Sequence, residues 1–181
     1  MSPSPGTLMP LIDPKLKRNW PYFLLQCGLA SLAILVVLVF LDTLEQMGII
    51  AALGATTFIV FAMPLSRESQ PRRLLGGYAV GIGLGVVFHL LIALVVARHL
   101  DLFGPEGAAY IQLRVVAGAA AVGLSILLMT MTNTEHPPAA GMALGLVLNE
   151  WGLAALAFVL AAILVLSGIK YAFRHRFIDL M

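Results

Sequence analysis

Charge is what this chain has least of. Only 11% of its 181 residues are Asp, Glu, Lys or Arg, where a soluble globular domain carries about a quarter. With 60% hydrophobic residues and a mean hydropathy of +0.97, the composition argues against a water-soluble domain. It points to an all-α fold, a polytopic bundle of membrane helices whose first partner is the lipid bilayer. A single cysteine, Cys27, excludes an internal disulfide and a thiolate metal site. It lies in an apolar run and is expected to be an inert packing residue. The four histidines, His89, His99, His136 and His175, form no short-spaced ligand pair, so no metal is expected. There is no P-loop and no G-x-S-x-G elbow. With nearly all of the chain spent on membrane segments, no soluble catalytic domain remains. Catalytic residues and cofactors are not expected, and transport is favoured over enzymatic function. A net charge of +2 gives no case for nucleic acid. The first apolar run is too long for a signal-peptide core and lacks a small-residue cleavage site, so no cleavable signal is expected.

What is present divides into six apolar segments. Residues 1–20 hold four prolines and the basic cluster Lys15, Lys17 and Arg18, expected to form a mostly irregular arm at a membrane surface. Trp20 and Tyr22 are expected as interfacial anchors. A single transmembrane domain then runs over residues 21–173, with segments at about 21–41, 47–64, 74–97, 113–131, 137–149 and 152–171, and a tail at 174–181. The second segment contains Gly54-Ala55-Thr56-Thr57, where a helix break is expected. The loop after it carries Arg67, Arg72 and Arg73. In the third, Gly77, Gly81 and Gly85 recur every four residues, a small-xxx-small face that lets another helix approach closely. His89 continues that row; it reads either as lining a path or, more simply, as making one interhelical hydrogen bond. The fifth segment is about 18 Å long at 1.5 Å per residue, too short to cross a core of about 30 Å alone.

The most polar run in the apolar C-terminal half is Thr132-Asn133-Thr134-Glu135-His136-Pro137-Pro138-Ala139-Ala140-Gly141. An ionisable pair beside such segments is a functional-site candidate. The prolines dictate the local form. Proline is tolerated in a helix's first turn and forces the residue before it out of the helical region. His136 is therefore expected to be extended, with a short helix starting at Pro137 or Pro138. The N–H groups and positive dipole end of that helix would sit beside His136 as an anion site.

The run from Glu135 to Gly141 resembles the signature of the HPP family of integral membrane proteins. Gly54-Ala55-Thr56 and Gln70-Pro71-Arg72-Arg73 with Gly76-Gly77 also look like that family's pattern, over about residues 48–167. Some members are implicated in nitrite transport. The resemblance implies a membrane transporter or channel for a small inorganic anion, with nitrite the implied substrate and four spans the associated count.

The basic residues sort to one side if all six segments cross. The arm, the Arg67–Arg73 loop and the tail fall together, opposite the Asp42/Glu45 turn, the Asp101/Glu106 loop and Glu150. By the positive-inside rule both termini face the cytoplasm, in a bacterial plasma (inner) membrane. The alternative is four spans, with segments two and five re-entrant. Long, short and long segments occur twice, which suggests two inverted three-segment repeats whose short broken helices meet near the midplane. In that arrangement Gly54-Ala55-Thr56 corresponds to His136-Pro137-Pro138. Candidate anion-pathway residues are then His136, Pro137, Pro138, Ala139, Asn133, Thr134, Glu135, Gly54, Ala55, Thr56, Thr57, Arg72 and His89. His136 reads as a donor to the anion, against a helix-start residue bonded to water. Glu135 is protonated, paired with Arg67, Arg72 or Arg73, or solvated. A structural or regulatory membrane subunit is the competing function and a membrane-embedded enzyme a weaker one. Assembly into a homo-oligomer is compatible with the glycine faces.

Overall fold

The structure is a computed structural model that describes residues 14–41, 46–99 and 107–180. The expected Asp42/Glu45 turn, the Asp101/Glu106 loop and most of the N-terminal arm lie outside the described residues. Six helices follow in order: α1 (Pro14–Phe40), α2 (Met47–Ala62), α3 (Pro71–Arg98), α4 (Ala108–Thr132), α5 (Pro137–Leu148) and α6 (Leu153–Phe173). No strand occurs among the described residues. Four helices, α1 from Arg18, α3, α4 and α6, are long and apolar enough to cross a membrane. Their outward faces carry large exposed side chains such as Val39, Leu94, Val116, Leu127 and Leu164. That is the reverse of a soluble fold and suits a lipid solvent, in which only helices or closed barrels satisfy the backbone.

Three helix starts come earlier than expected, and proline explains two of them. Pro71 occupies the first turn of α3 behind the extended Gln70, so Arg72 and Arg73 belong to the helix and not to the loop. Pro14 opens α1, so the basic cluster at 15–18 is helical and not irregular. The chain bends at Asn19 (φ −120°, ψ 20°), two residues before Pro21. A proline inside a helix has no N–H for the carbonyl four residues back, and its ring crowds that carbonyl. The third early start is α4, at Ala108 rather than near 113. Cys27, expected to pack, is exposed on α1.

The expected break in α2 does not occur. Met47–Ala62 is one continuous helix. Gly54 faces α1, where an added Cβ would stand 3.7 Å from Ile34 Cδ1. The Thr57 hydroxyl bonds back to the Leu53 carbonyl at 2.9 Å within the same helix. Glycine and threonine lower helix propensity by a fraction of a kcal/mol to about 1 kcal/mol each, which packing readily overrides. No second short-helix N-terminus therefore faces His136.

The arrangement centres on α5, which packs against α2, α3 and α4 and buries most of its residues, among them Pro138, Ala139, Met142, Ala143 and Leu146. An 18 Å helix needs no full span when protein surrounds it. The glycine face of α3 lies against it in parallel. Gly77 faces His136, Gly81 faces Ala139 and Gly85 faces Leu146 and Ala143. Against α2 the direction reverses, with Gly48 beside Gly145 and Asn149, and Thr56 beside His136. Direction thus alternates along the chain, and α2 and α5 enter from opposite ends. Any six-segment alternation produces that relation, so it is necessary for inverted units and not distinctive of them. The α5 N-terminus lies near the start of α3 and well short of that helix's middle. Gly77, beside it, is only six residues into α3, roughly 9 Å at 1.5 Å per residue.

Candidate functional site at the start of α5

The motif is built by two chain reversals. Asn133 ends α4 in the left-handed conformation, with φ 54° and ψ 45°. The Thr134 N–H bonds the Met129 carbonyl at 2.9 Å and the Asn133 N–H bonds the Thr130 carbonyl at 3.3 Å. This is a Schellman stop, and asparagine is the non-glycine residue best suited to it. Two residues on, His136 is extended (φ −138°, ψ 95°) ahead of Pro137 and Pro138, as the prolines require.

His136 is completely buried, as are Thr56 and, to within 1%, Tyr78. Its Nδ1 lies 2.9 Å from the Glu68 carbonyl and its Nε2 lies 3.0 Å from Thr56 Oγ1. A carbonyl only accepts, so Nδ1 carries the proton. The ring has no carboxylate partner in the described contacts, and an uncompensated buried charge is costly. The neutral tautomer follows, with Nε2 accepting from the Thr56 hydroxyl. The Tyr78 hydroxyl has one proton and two acceptors, Thr56 Oγ1 at 2.7 Å and the Ala52 carbonyl at 3.3 Å. A continuous chain of polar groups thus links the 64–70 loop, α5, α2 and α3. Tyr78 also meets the imidazole ring to ring, centroids 5.4 Å apart.

Above this chain sits an ion pair. Arg73, with 10% of its side chain exposed, bonds the carboxylate of Glu135, which is 40% exposed. Its other terminal nitrogen donates to the Asn133 side-chain oxygen. Arg73 settles the choice of partner for Glu135, because it projects from the first turn of α3, one turn before Gly77. Arg67 and Arg72 are exposed. The 64–70 loop is held in place by Ser69, whose hydroxyl donates to the Pro64 and Ser66 carbonyls at 2.8 Å. Lys170 of α6 donates to the Ser69 carbonyl and hydroxyl. The tail folds back over the same end of the bundle. Gln26 of α1 pairs with the backbone of Ile178 in both senses, Phe177 is buried against Phe61 and Phe173, and Leu180 N–H bonds the Ala62 carbonyl at 2.9 Å.

Not every expected site residue joins this cluster. Thr57 faces an apolar groove between α1 and α6. Gly54 faces α1, and Ala55 and Pro138 line an apolar cleft of about 340 Å³ between α2 and α5. Thr134 is buried, with its hydroxyl 2.7 Å from that of Thr132. His89 lies twelve residues further along α3, roughly 18 Å away, and Arg72 points out. The expected helix N-terminal anion site is also corrected. Pro137 and Pro138 have no N–H, and the Ala139 N–H donates to the His136 carbonyl at 2.9 Å. The first turn of α5 offers no free donor among its first three residues. Arg73 enters as one of the three arginines weighed as a partner for Glu135, while Tyr78 and the tail complete the cluster without having been expected in it. A tyrosine within the glycine-faced segment, and Phe173 and Phe177 one turn apart, are the signals that could have found both.

A profile of the HPP transmembrane region matches residues 14–175. The chain belongs to the HPP family. Residues matching this HPP chain also occur in a transmembrane protein of Dictyostelium discoideum, 30% identical over 126 residues, which covers 70% of this chain and 39% of that protein. The chain thus spans about two fifths of the length of the curated relative it matches. No solved structure matches it.

Proposed function

We propose that this HPP protein is a transporter or channel for a small inorganic anion, with nitrite the substrate that membership of the family implies. The observation that carries the reading is the His136–Thr56–Tyr78 chain. Ionisable and hydroxyl groups are rare and costly inside an apolar bundle and mark pathways more often than packing. Arg73 and Glu135 form the outer gate in this reading. An arriving anion exchanges for the Glu135 carboxylate on the Arg73 guanidinium, whose fork suits a two-oxygen anion. Opening requires that exchange, because both ring nitrogens of His136 are already occupied.

The proposed location is the bacterial inner membrane, with both termini cytoplasmic. All lysines and arginines except Arg98 and Arg114 lie at the end of the bundle where α1 and α3 begin and α6 finishes, which supports that orientation. Reporter fusions at each terminus test it. Function is tested by anion uptake into liposomes holding only this protein, comparing nitrite, nitrate, formate, chloride and bicarbonate across a pH gradient. Selective nitrite uptake is the expected result; no flux from folded protein refutes the reading.

One observation favours a second reading, a structural or regulatory subunit. His136 spends both nitrogens on protein groups and the prolines remove the helix-start donors, so the motif acts here as a joint. Absence of flux combined with co-purification of a stoichiometric membrane partner would establish it.

A further inference from the structure

The end of α5 remote from the motif holds a second polar site. Between α3 and α4 lies a cavity of about 210 Å³, lined by His89, Tyr110, Arg114 and Glu150 together with Ala93, Val96 and other apolar residues. This is several times the roughly 30 Å³ that a water molecule occupies in the liquid. Its polar groups are anchored by the C-terminal carbonyls of α5. Arg114 Nε donates to the Val147 carbonyl at 3.3 Å. His89 Nδ1 lies 3.1 Å from the Leu146 carbonyl, which also accepts from Trp151 Nε1 at 2.8 Å. Tyr110 lies under the guanidinium, 5.4 Å from ring centroid to Cζ.

This anchoring leaves Arg114 underused. A guanidinium has five N–H donors and Nε accounts for one. Among the described residues the remaining partner is Glu150, whose carboxylate is 3.8 Å away and 70% exposed. That is beyond hydrogen-bond reach and largely screened by solvent. The terminal nitrogens, in a side chain only 19% exposed, therefore have no acceptor within hydrogen-bond distance among the described residues. They present two parallel donors, the geometry that takes a planar two-oxygen anion. With the Nδ1 proton donated to a carbonyl, a neutral His89 has only an acceptor left at Nε2, so His89 lines the cavity without donating to an anion and Arg114 alone supplies the donors. The two ends of α5 are thus bracketed alike, by Arg73 with Glu135 and by Arg114 with Glu150.

We propose that this cavity is a binding site for a small planar monovalent oxyanion, held by Arg114 and entered from the end of the bundle opposite the motif. The proposal deepens the transport reading by adding a second station, yet binding here does not depend on flux.

Trp151 reports on the site directly, because its ring centroid is 5.0 Å from that of His89. The only other tryptophan is Trp20, so Trp20→Phe protein isolates the signal. Titration with sodium nitrite, sodium formate and sodium chloride at constant ionic strength should give a saturable change in Trp151 emission with the first two and not with chloride. Saturation by formate alone would assign the site to carboxylates, and by nitrite alone to the inorganic anion. Arg114→Gln should weaken binding at least tenfold. Glu150→Gln, at a largely exposed position, should tighten it about threefold by removing the competing carboxylate. A linear, unsaturating response that is the same in wild type and Arg114→Gln overturns the site, as does a Glu150→Gln protein with unchanged or weaker binding. Saturable binding in a protein without flux upholds the site and refutes transport; flux without saturable binding does the reverse.

Discussion

Adding one methyl group to α3 should have opposite effects at two positions only two residues apart. A Cβ at Gly81 would stand 2.1 Å from the carbonyl oxygen of Ala139 and 2.9 Å from its carbon. Comfortable contact needs about 3.5 Å, so α3 and α5 must separate by roughly 1 Å or more. The obstructing atoms are backbone and cannot rotate away. Overpacking usually costs 1–3 kcal/mol, and this geometry belongs at the top of that range, about 3 kcal/mol, or roughly a hundredfold in the folding equilibrium. In lipid the loss is one of packing, since apolar burial drives helix association little there. At Gly83 nothing lies within 4 Å of an added Cβ. Gly83→Ala should gain about 0.5–1 kcal/mol through helix propensity alone. The assay is unfolding of purified protein in micelles, followed by helical circular dichroism against added denaturing detergent. Gly81→Ala should unfold well before wild type and Gly83→Ala slightly after. Coincident curves for the two variants would refute the close approach of α3 to α5, and Gly81→Leu recovered intact would refute it more strongly.

Four further outcomes follow from the site. Thr56→Val keeps the shape but takes the donor from His136 Nε2, and should cost about 1–3 kcal/mol and cut nitrite uptake; unchanged uptake removes the buried chain from the pathway. His136→Ala also strands the Glu68 carbonyl, so it should cost about 2–4 kcal/mol and lose flux beyond what correction for folded protein restores. Arg73→Gln should destabilise by about 1–2 kcal/mol, held to the low side because Glu135 is partly exposed, and Glu135→Gln in the same chain should recover most of it in a double-mutant cycle. Phe177→Ala should release the tail, costing about 3 kcal/mol and speeding protease cleavage in the 64–70 loop, which a cleavage time course would measure.

The fold was legible where one residue type dictates a local outcome. Pro137 and Pro138 fixed an extended His136 and the start of α5, and the four-residue glycine spacing marked the face of α3 that another helix approaches. The expected break at Gly54 failed because propensity is weak beside packing, and α2 is held between α1 and α5 throughout. The cluster was half legible. Glu135 and His136 stand out as polar residues in an apolar run, and a pairing of Glu135 with one of three arginines was one of three alternatives weighed, beside a protonated and a solvated carboxyl. Which arginine depended on whether Pro71 opened the helix or ended the loop. Tyr78 and the tail were hidden, because a tyrosine in an apolar segment resembles an anchor until a partner is placed 2.7 Å from its hydroxyl.

The two ends of α5 change what the motif means physically. A helix N-terminus attracts anions through free N–H groups as much as through its dipole. Two successive prolines delete those donors while keeping the helix start, and the Ala139 N–H turns back to His136. At the other end the dipole is neutralised by Arg114, His89 and Trp151 on the last carbonyls. The short central helix is thus sealed at both ends by its neighbours and is not itself an anion cradle. If the proposed anion site exists, recognition falls to the side chains around the helix, and Arg73 and Arg114 are the groups with the charge and the fork for it. On the proposed transport reading, an anion crossing this bundle would meet Arg73 at one end of α5 and Arg114 at the other. Weak binding at two stations with no deep well between them is what conduction requires.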